Sequence, residues 1–129
     1  MRWLSHVVAQ PEERGREIMA SETQVVQTFT DANFEQSVIR AGGPVLVDFW
    51  AEWCAPCRRL APTVEALATD YAGKITIGKM NVDENPVIPA QFQIRSIPTL
   101  LLFKGGQVVD SVVGLARKDD LQRMVDKQL

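Results

Sequence analysis

The stretch Val45-Leu46-Val47-Asp48-Phe49-Trp50 constrains the fold more than any other in the chain. A strand with one wet face alternates apolar and polar residues; this one is apolar at nearly every position, so it has to be covered on both faces. Beyond it, Leu60, Val64, Leu67 and Ala68 have the spacing of one apolar helical face, and Gly73 closes that helix. A doubly covered strand that turns at once into an amphipathic helix opens a β-α-β unit, in which helices shield the sheet. Asp48 breaks the apolar run. A lone carboxylate in such a strand is expensive unless it is partnered or keeps its proton, so its presence asks for a chemical reason.

The rest of the chain repeats the alternation. Residues 24–29 have the β-branched character of a first, edge strand, and Thr30 is placed to cap a helix carrying Phe34, Val38 and Ile39 on one face, ended by Gly42-Gly43. Pro44 then starts the central strand without needing its N–H. Pro62 falls inside the second helix, removes one backbone hydrogen bond and is expected to kink it. Residues 74–82 read as a third strand and residues 88–92 as a short helix. Residues 99–103 form a buried strand, turned at Lys104-Gly105-Gly106-Gln107 into a hairpin partner over 108–113. A last amphipathic helix carries Leu121, Met124 and Val125, with Leu129 as a further apolar position. The expected order is β-α-β-α-β-α-β-β-α. It makes an α/β fold with a central mixed five-stranded sheet: parallel pairing up to the third strand, then an antiparallel hairpin, with helices on both faces.

Chemistry is concentrated where the central strand meets its helix, at Trp53-Cys54-Ala55-Pro56-Cys57. A cysteine opening a helix lies beside unpaired N–H groups and the positive end of the macrodipole, which favour thiolate over thiol. Cys57 is about one turn further on the same face, so the two sulfurs can close a small ring without moving the backbone. A pair of this kind can be oxidised and reduced repeatedly. Three other readings of it are weaker. Zinc needs four ligands, whereas the chain has two cysteines and one histidine, His6. A purely structural disulfide is unnecessary in a domain with this much apolar residue to bury. A cysteine hydrolase needs a histidine base near the sulfur, and none follows residue 6.

At 129 residues the length favours one domain. The net charge of −2, with both signs scattered, leaves no basic stripe for nucleic acid. No apolar run approaches the roughly 20 residues needed to cross a bilayer. Residues 1–20 differ from everything after them, and are read as a flexible N-terminal extension ahead of a domain over 21–129. Their apolar stretch is broken by Ser5 and His6, and Glu12, Glu13 and Glu17 do not suit an acid-poor transit peptide. Met19 is an alternative start.

From about Ser21 to Leu129 the sequence resembles the thioredoxin family. The resemblance rests on Asp48-Phe49-Trp50-Ala51-Glu52-Trp53-Cys54-x-Pro56-Cys57, Ala61-Pro62, Asn81-Val82-Asp83, Ile97-Pro98-Thr99-Leu100 and Val113-Gly114, in family order. It implies the thioredoxin fold and a general protein-disulfide reductase of cell redox homeostasis. A lowered thiol pKa and a reducing potential are family properties, not consequences of this sequence. It also implies Cys54 as nucleophile, Cys57 as resolving cysteine, Asp48 as the proton relay for Cys57, and Lys79 as the charged neighbour that modulates Asp48. Pro98 corresponds to the family's cis-proline, whose preceding residue, Ile97, offers backbone hydrogen bonds to an extended substrate. Trp53, Ala55, Pro56, Ile97, Pro98, Val113 and Gly114 are then the substrate-binding surface. No bound cofactor or metal is implied beyond the redox-active disulfide Cys54–Cys57. The implied partners are a thioredoxin reductase and disulfide-containing target proteins, with no nucleic acid and no membrane. A monomer in the cytoplasm follows, or in the chloroplast stroma if the extension is a targeting remnant. Ala55 departs from the family's usual glycine and adds a methyl beside the nucleophile. Oxidants and isomerases of this kind usually carry histidine where this chain has Ala55-Pro56. A pure binding role for the same surface is the rival from outside enzymology.

Asp48 and Lys79 also have plainer readings: a structural buried acid and an ordinary strand charge. Trp50 is read as core, and Trp53 as functional.

Overall fold

The computed structural model of the protein describes residues 25–129. The N-terminal extension, the alternative start and the first residue of the expected edge strand lie outside them. The elements follow the expected order: β1 (Val26–Thr28), α1 (Glu35–Ile39), β2 (Val45–Trp50), α2 (Ala55–Asp70), β3 (Thr76–Asn81), α3 (Val87–Gln91), β4 (Thr99–Lys104), β5 (Gln107–Val113) and α4 (Lys118–Asp126). The five strands form one sheet in the order β1-β3-β2-β4-β5. β3 pairs in parallel with both β1 and β2, whereas β4 runs antiparallel to β2 and to β5. β2 is therefore the central strand, and β1 an edge strand, as expected.

Parallel neighbours side by side need crossovers, and antiparallel ones allow a tight turn. The turn between β4 and β5 is built on Gly105 and Gly106 at φ 62° and 80°. Positive φ at both positions is the twist a two-residue hairpin demands.

Side chains alternate across β2, and each set meets its own layer. Leu46 lies with Ile77, Leu100 and Leu102 under Leu60, Val64 and Leu67 of α2 and Leu121 and Val125 of α4. Val45, Val47 and Phe49 face the other way, with Met80 and Phe103, against Phe34 and Val38 of the α1 region and Ile88 of α3. On that second face Phe34, Phe92 and Phe103 form a ring trio with centroids 5.3–5.7 Å apart. Helices thus cover both faces, which is why β2 carries no alternation.

Two elements differ from expectation. Thr30 caps a turn instead of a full helix: its Oγ1 accepts from Asn33 N at 3.1 Å and Asn33 Oδ1 accepts from Thr30 N at 2.8 Å. The helix beyond is a short π-wound segment ending at Ile39, before the glycines. β3 is shorter than expected because Lys74 and Ile75 are tied back to Tyr71 O at the end of α2. α2 runs from residue 55 to residue 70 with Pro62 inside it, as expected, on its exposed side. Leu129 is exposed and adds nothing to the core.

Candidate active site

β2 and β3 end at one edge of the molecule, and β4, being antiparallel, begins there. Four connections are thereby gathered at one end of the sheet: residues 51–54, 82–86, 96–98 and 114–116. Two hydrogen bonds and one close contact tie them together. Gly114 N donates to Pro98 O at 2.8 Å, Trp53 Nε1 donates to Asp83 Oδ2 at 2.9 Å, and Cys54 Sγ lies 3.7 Å from Ile97 O. The Ile97–Pro98 bond is cis, as the resemblance implied.

Cys54 is the N-cap of α2, with extended backbone at φ −89° and ψ 104°. The usual cap acceptor is a serine, threonine or aspartate oxygen; here it is the cysteine sulfur, which accepts from Cys57 N at 3.2 Å. Pro56 costs the helix nothing in its first turn, where no intrahelical acceptor awaits its missing N–H. Cys54 and Cys57 are joined in a disulfide with Cα atoms 5.2 Å apart, and both are buried. When that bond opens, the charge on Cys54 is left at a donor N–H and a helix N-terminus, the surroundings that favour a thiolate.

The rim is apolar. Trp53 is 68% exposed and Val113 66% exposed, an unusual state for side chains of that kind; Ala55 and Leu115 are exposed and Pro56, Ile97 and Gly114 partly so. Pro98 is buried beneath them. Gly114 adopts φ 92°, a conformation that favours glycine.

Asp48 shares the face of β2 that α2 covers, since it lies two residues from Leu46 and two from Trp50 along the strand. It is 1% exposed and its Oδ1 has no hydrogen-bond partner. Burial pushes its carboxyl up to about 7 from 3.8, and the charge of Lys79 pulls it partly back. Lys79 is its register neighbour on β3, but its ammonium sits 4.3 Å from the centre of the Trp50 ring. No ion pair joins the two among the described residues. Lys79 therefore acts on Asp48 through the field and not through a bond.

All the residues singled out in the sequence thus gather at this end of the sheet or, for Asp48 and Lys79, on the strands behind it. Sequence reading missed the partners. Asp83, which holds the indole of Trp53, lies thirty residues from it, and no local signal connects them. Trp50, read as core, is half-buried under the Lys79 ammonium. Asp31 binds the first N–H groups of α3, at Val87 and Ile88, and anchors that helix from a distant turn. No cluster of three or more metal-ligating side chains occurs among the described residues, and none of their helices is long and apolar enough to cross a membrane.

A disulfide-forming pair three residues apart at a helix N-terminus, ringed by an apolar surface at the end of a mixed sheet, defines a dithiol redox protein. Comparison with known proteins gives the family. The Thioredoxin family model matches residues 25–127. Thioredoxin 1 of Nostoc sp. is 54% identical over 100 residues, covering 78% of this chain and 94% of that one. Thioredoxin of Pseudomonas aeruginosa is 49% identical over 100 residues, covering 78% and 93%. Thioredoxin of Alicyclobacillus acidocaldarius is 55% identical over 95 residues, covering 74% and 90%. The chain belongs to the thioredoxin family, and is a thiol–disulfide oxidoreductase.

Proposed function

We propose that the protein is a general protein-disulfide reductase in which Cys54 attacks and Cys57 resolves. The observation that carries this reading is the placement of Cys54 Sγ. It caps α2, receives the Cys57 N–H at 3.2 Å and faces Ile97 O on the apolar rim. In the reduced protein the Cys54 thiolate attacks one sulfur of a substrate disulfide; that bond breaks, and the departing substrate thiolate takes up a proton. A mixed disulfide between Cys54 and the substrate remains. Cys57 then loses its proton, attacks Cys54 Sγ and expels the second substrate thiol, so the substrate gains two electrons and the protein ends as the Cys54–Cys57 disulfide.

Cys57 is buried, so a proton acceptor inside the fold serves it better than solvent does. Asp48, held near 7 behind α2, suits that task at neutral pH, and Lys79 tunes it. Trp53, Ala55, Pro56, Ile97, Pro98, Val113 and Gly114 dock the substrate, with Ile97 offering backbone hydrogen bonds to an extended segment. The cycle needs an external dithiol donor. A thioredoxin reductase meets that need in a monomeric protein serving redox homeostasis in the cytoplasm, with no cofactor bound to this chain. Residues 1–20 stand outside this machinery as an extension to the domain.

The test is reduction of a protein disulfide by dithiothreitol with the wild-type protein and with Cys54→Ser. Turnover by the first and none by the second supports the reading. Retained turnover in Cys54→Ser overturns it.

A further inference from the structure

Next to the redox rim, a hollow of about 240 Å³ opens between the segment that precedes Ile97–Pro98 and the final strand β5. Phe92, Ile94, Leu101 and Val113 supply its apolar wall, and Arg95 and Ser111 are among the residues at its edge. Two observations connect it to substrate. Val113 belongs both to the hollow and to the rim around Cys54, so the two surfaces are continuous. Ser96 and Thr99, which also line it, flank the Ile97–Pro98 bond on either side.

Its chemistry is set by one charge. Arg95 is the sole charged residue lining the hollow; it is exposed and meets no carboxylate among the described residues. Arg40, Arg117 and Arg123, by contrast, each meet one. The Thr99 hydroxyl is already committed, donating to Ser96 O at 2.6 Å. A guanidinium over an apolar wall fits a side chain that has methylenes to bury and a carboxylate to present, and glutamate fits better than aspartate.

We propose that this hollow is a specificity subsite for an acidic side chain of the substrate. It sits two or three residues from the cysteine under attack. The distance follows from the chain geometry. A substrate strand laid on Ile97 with its sulfur at Cys54 advances about 3.3 Å per residue. Arg95 precedes Ile97 by two residues, so its backbone lies at most about 7 Å from Ile97, which an extended substrate covers in about two residues. The proposal rests on the disulfide-reductase reading and names the substrate class that reading leaves open.

The test uses peptides with one internal disulfide. They are identical except for Glu, Gln or Lys placed in turn two and three positions to either side of the first cysteine. kcat/KM is measured for the full chain and for Arg95→Glu, at low and high salt. In the wild-type protein, one placement of Glu should be reduced about threefold faster than Lys at the same place, as a partly exposed ion pair allows, with the difference in KM and shrinking as salt rises. In Arg95→Glu the preference should reverse towards Lys. A Glu-to-Lys ratio near one at every placement, or the same ratio in both proteins, overturns the subsite while leaving the reductase intact. Failure of the wild-type protein to reduce any of the peptides strikes instead at the reductase reading itself.

Discussion

Replacing Asp48 by Asn should make stability less dependent on pH, because the wild-type chain carries a carboxylate it cannot solvate. The acid is 1% exposed, one oxygen is unpartnered and the pKa is raised from 3.8 to about 7 by burial, with Lys79 offsetting part of the effect. A raised carboxyl keeps its proton in the folded state at pH values where the unfolded chain has released it. The folded state then binds more protons, so stability falls as pH rises from about 4 through about 7. At about 1.4 kcal/mol per pH unit, the full cost once both states are ionised is about 4 kcal/mol. Relaxation around the charge makes that a ceiling. By pH 5 the unfolded chain is mostly ionised, so part of the cost is already present, and about 2.5–3 kcal/mol remains to be lost by pH 9. Asn stays neutral throughout. Its amide adds a donor of its own, a fixed offset of about 1–3 kcal/mol if unpaired, so the slope and not the offset carries the test. Urea midpoints of the oxidised proteins at pH 5, 7 and 9 decide it. With a denaturant slope of about 2 kcal/mol per M, the midpoint of Asp48→Asn should gain about 1.3 M on wild type between pH 5 and pH 9. Parallel pH curves for the two proteins would refute the claim that Asp48 is ionised at a cost inside the fold.

Three further outcomes follow from the same geometry. Lys79→Met removes the charge that lowers the Asp48 pKa, so the Asp48 carboxyl signal in an NMR titration should move to a midpoint above wild type; an unmoved midpoint would sever the two residues. Gly114→Ala introduces a Cβ that meets nothing within 4 Å, but at φ 92°; the backbone alone should cost about 1–2 kcal/mol and lower Tm by about 5–10 °C, and an unchanged Tm by calorimetry would contradict it. Trp53→Ala removes an exposed ring pinned by Asp83, and should raise KM for a protein disulfide about tenfold with kcat nearly kept; a fall in kcat at constant KM would place the ring in the chemistry and not in docking.

Much of this molecule was legible in its sequence because its signals are local. The apolar run of β2 on either side of Asp48, the helical spacing of Leu60, Val64 and Leu67, and the paired glycines of the β4–β5 turn each state their structure within a few residues. Asp48 announced itself for the same reason, as a charge where the strand around it allowed none. The cis bond before Pro98 came from the family resemblance, since X-Pro bonds are mostly trans. What escaped was long-range. The pairing of Trp53 with Asp83 and the Lys79 ammonium over Trp50 depend on which strand ends the topology brings together. So does the hollow at Arg95, formed where the α3–β4 segment meets β5. The late start of α1 escaped for a different reason: the Thr30–Asn33 exchange spends the first turn on side-chain bonds before a helix can start.

The division of labour between the two cysteines is tested most directly by trapping the reaction halfway. Reduced Cys57→Ser, given a protein substrate with one accessible disulfide, should accumulate a covalent adduct through Cys54, seen as one mass by intact-protein mass spectrometry and released by dithiothreitol. Reduced Cys54→Ser should form none under the same conditions. An adduct built through Cys57 in Cys54→Ser, with none in Cys57→Ser, would contradict the assignment of Cys54 at the mouth of α2 as the attacking sulfur.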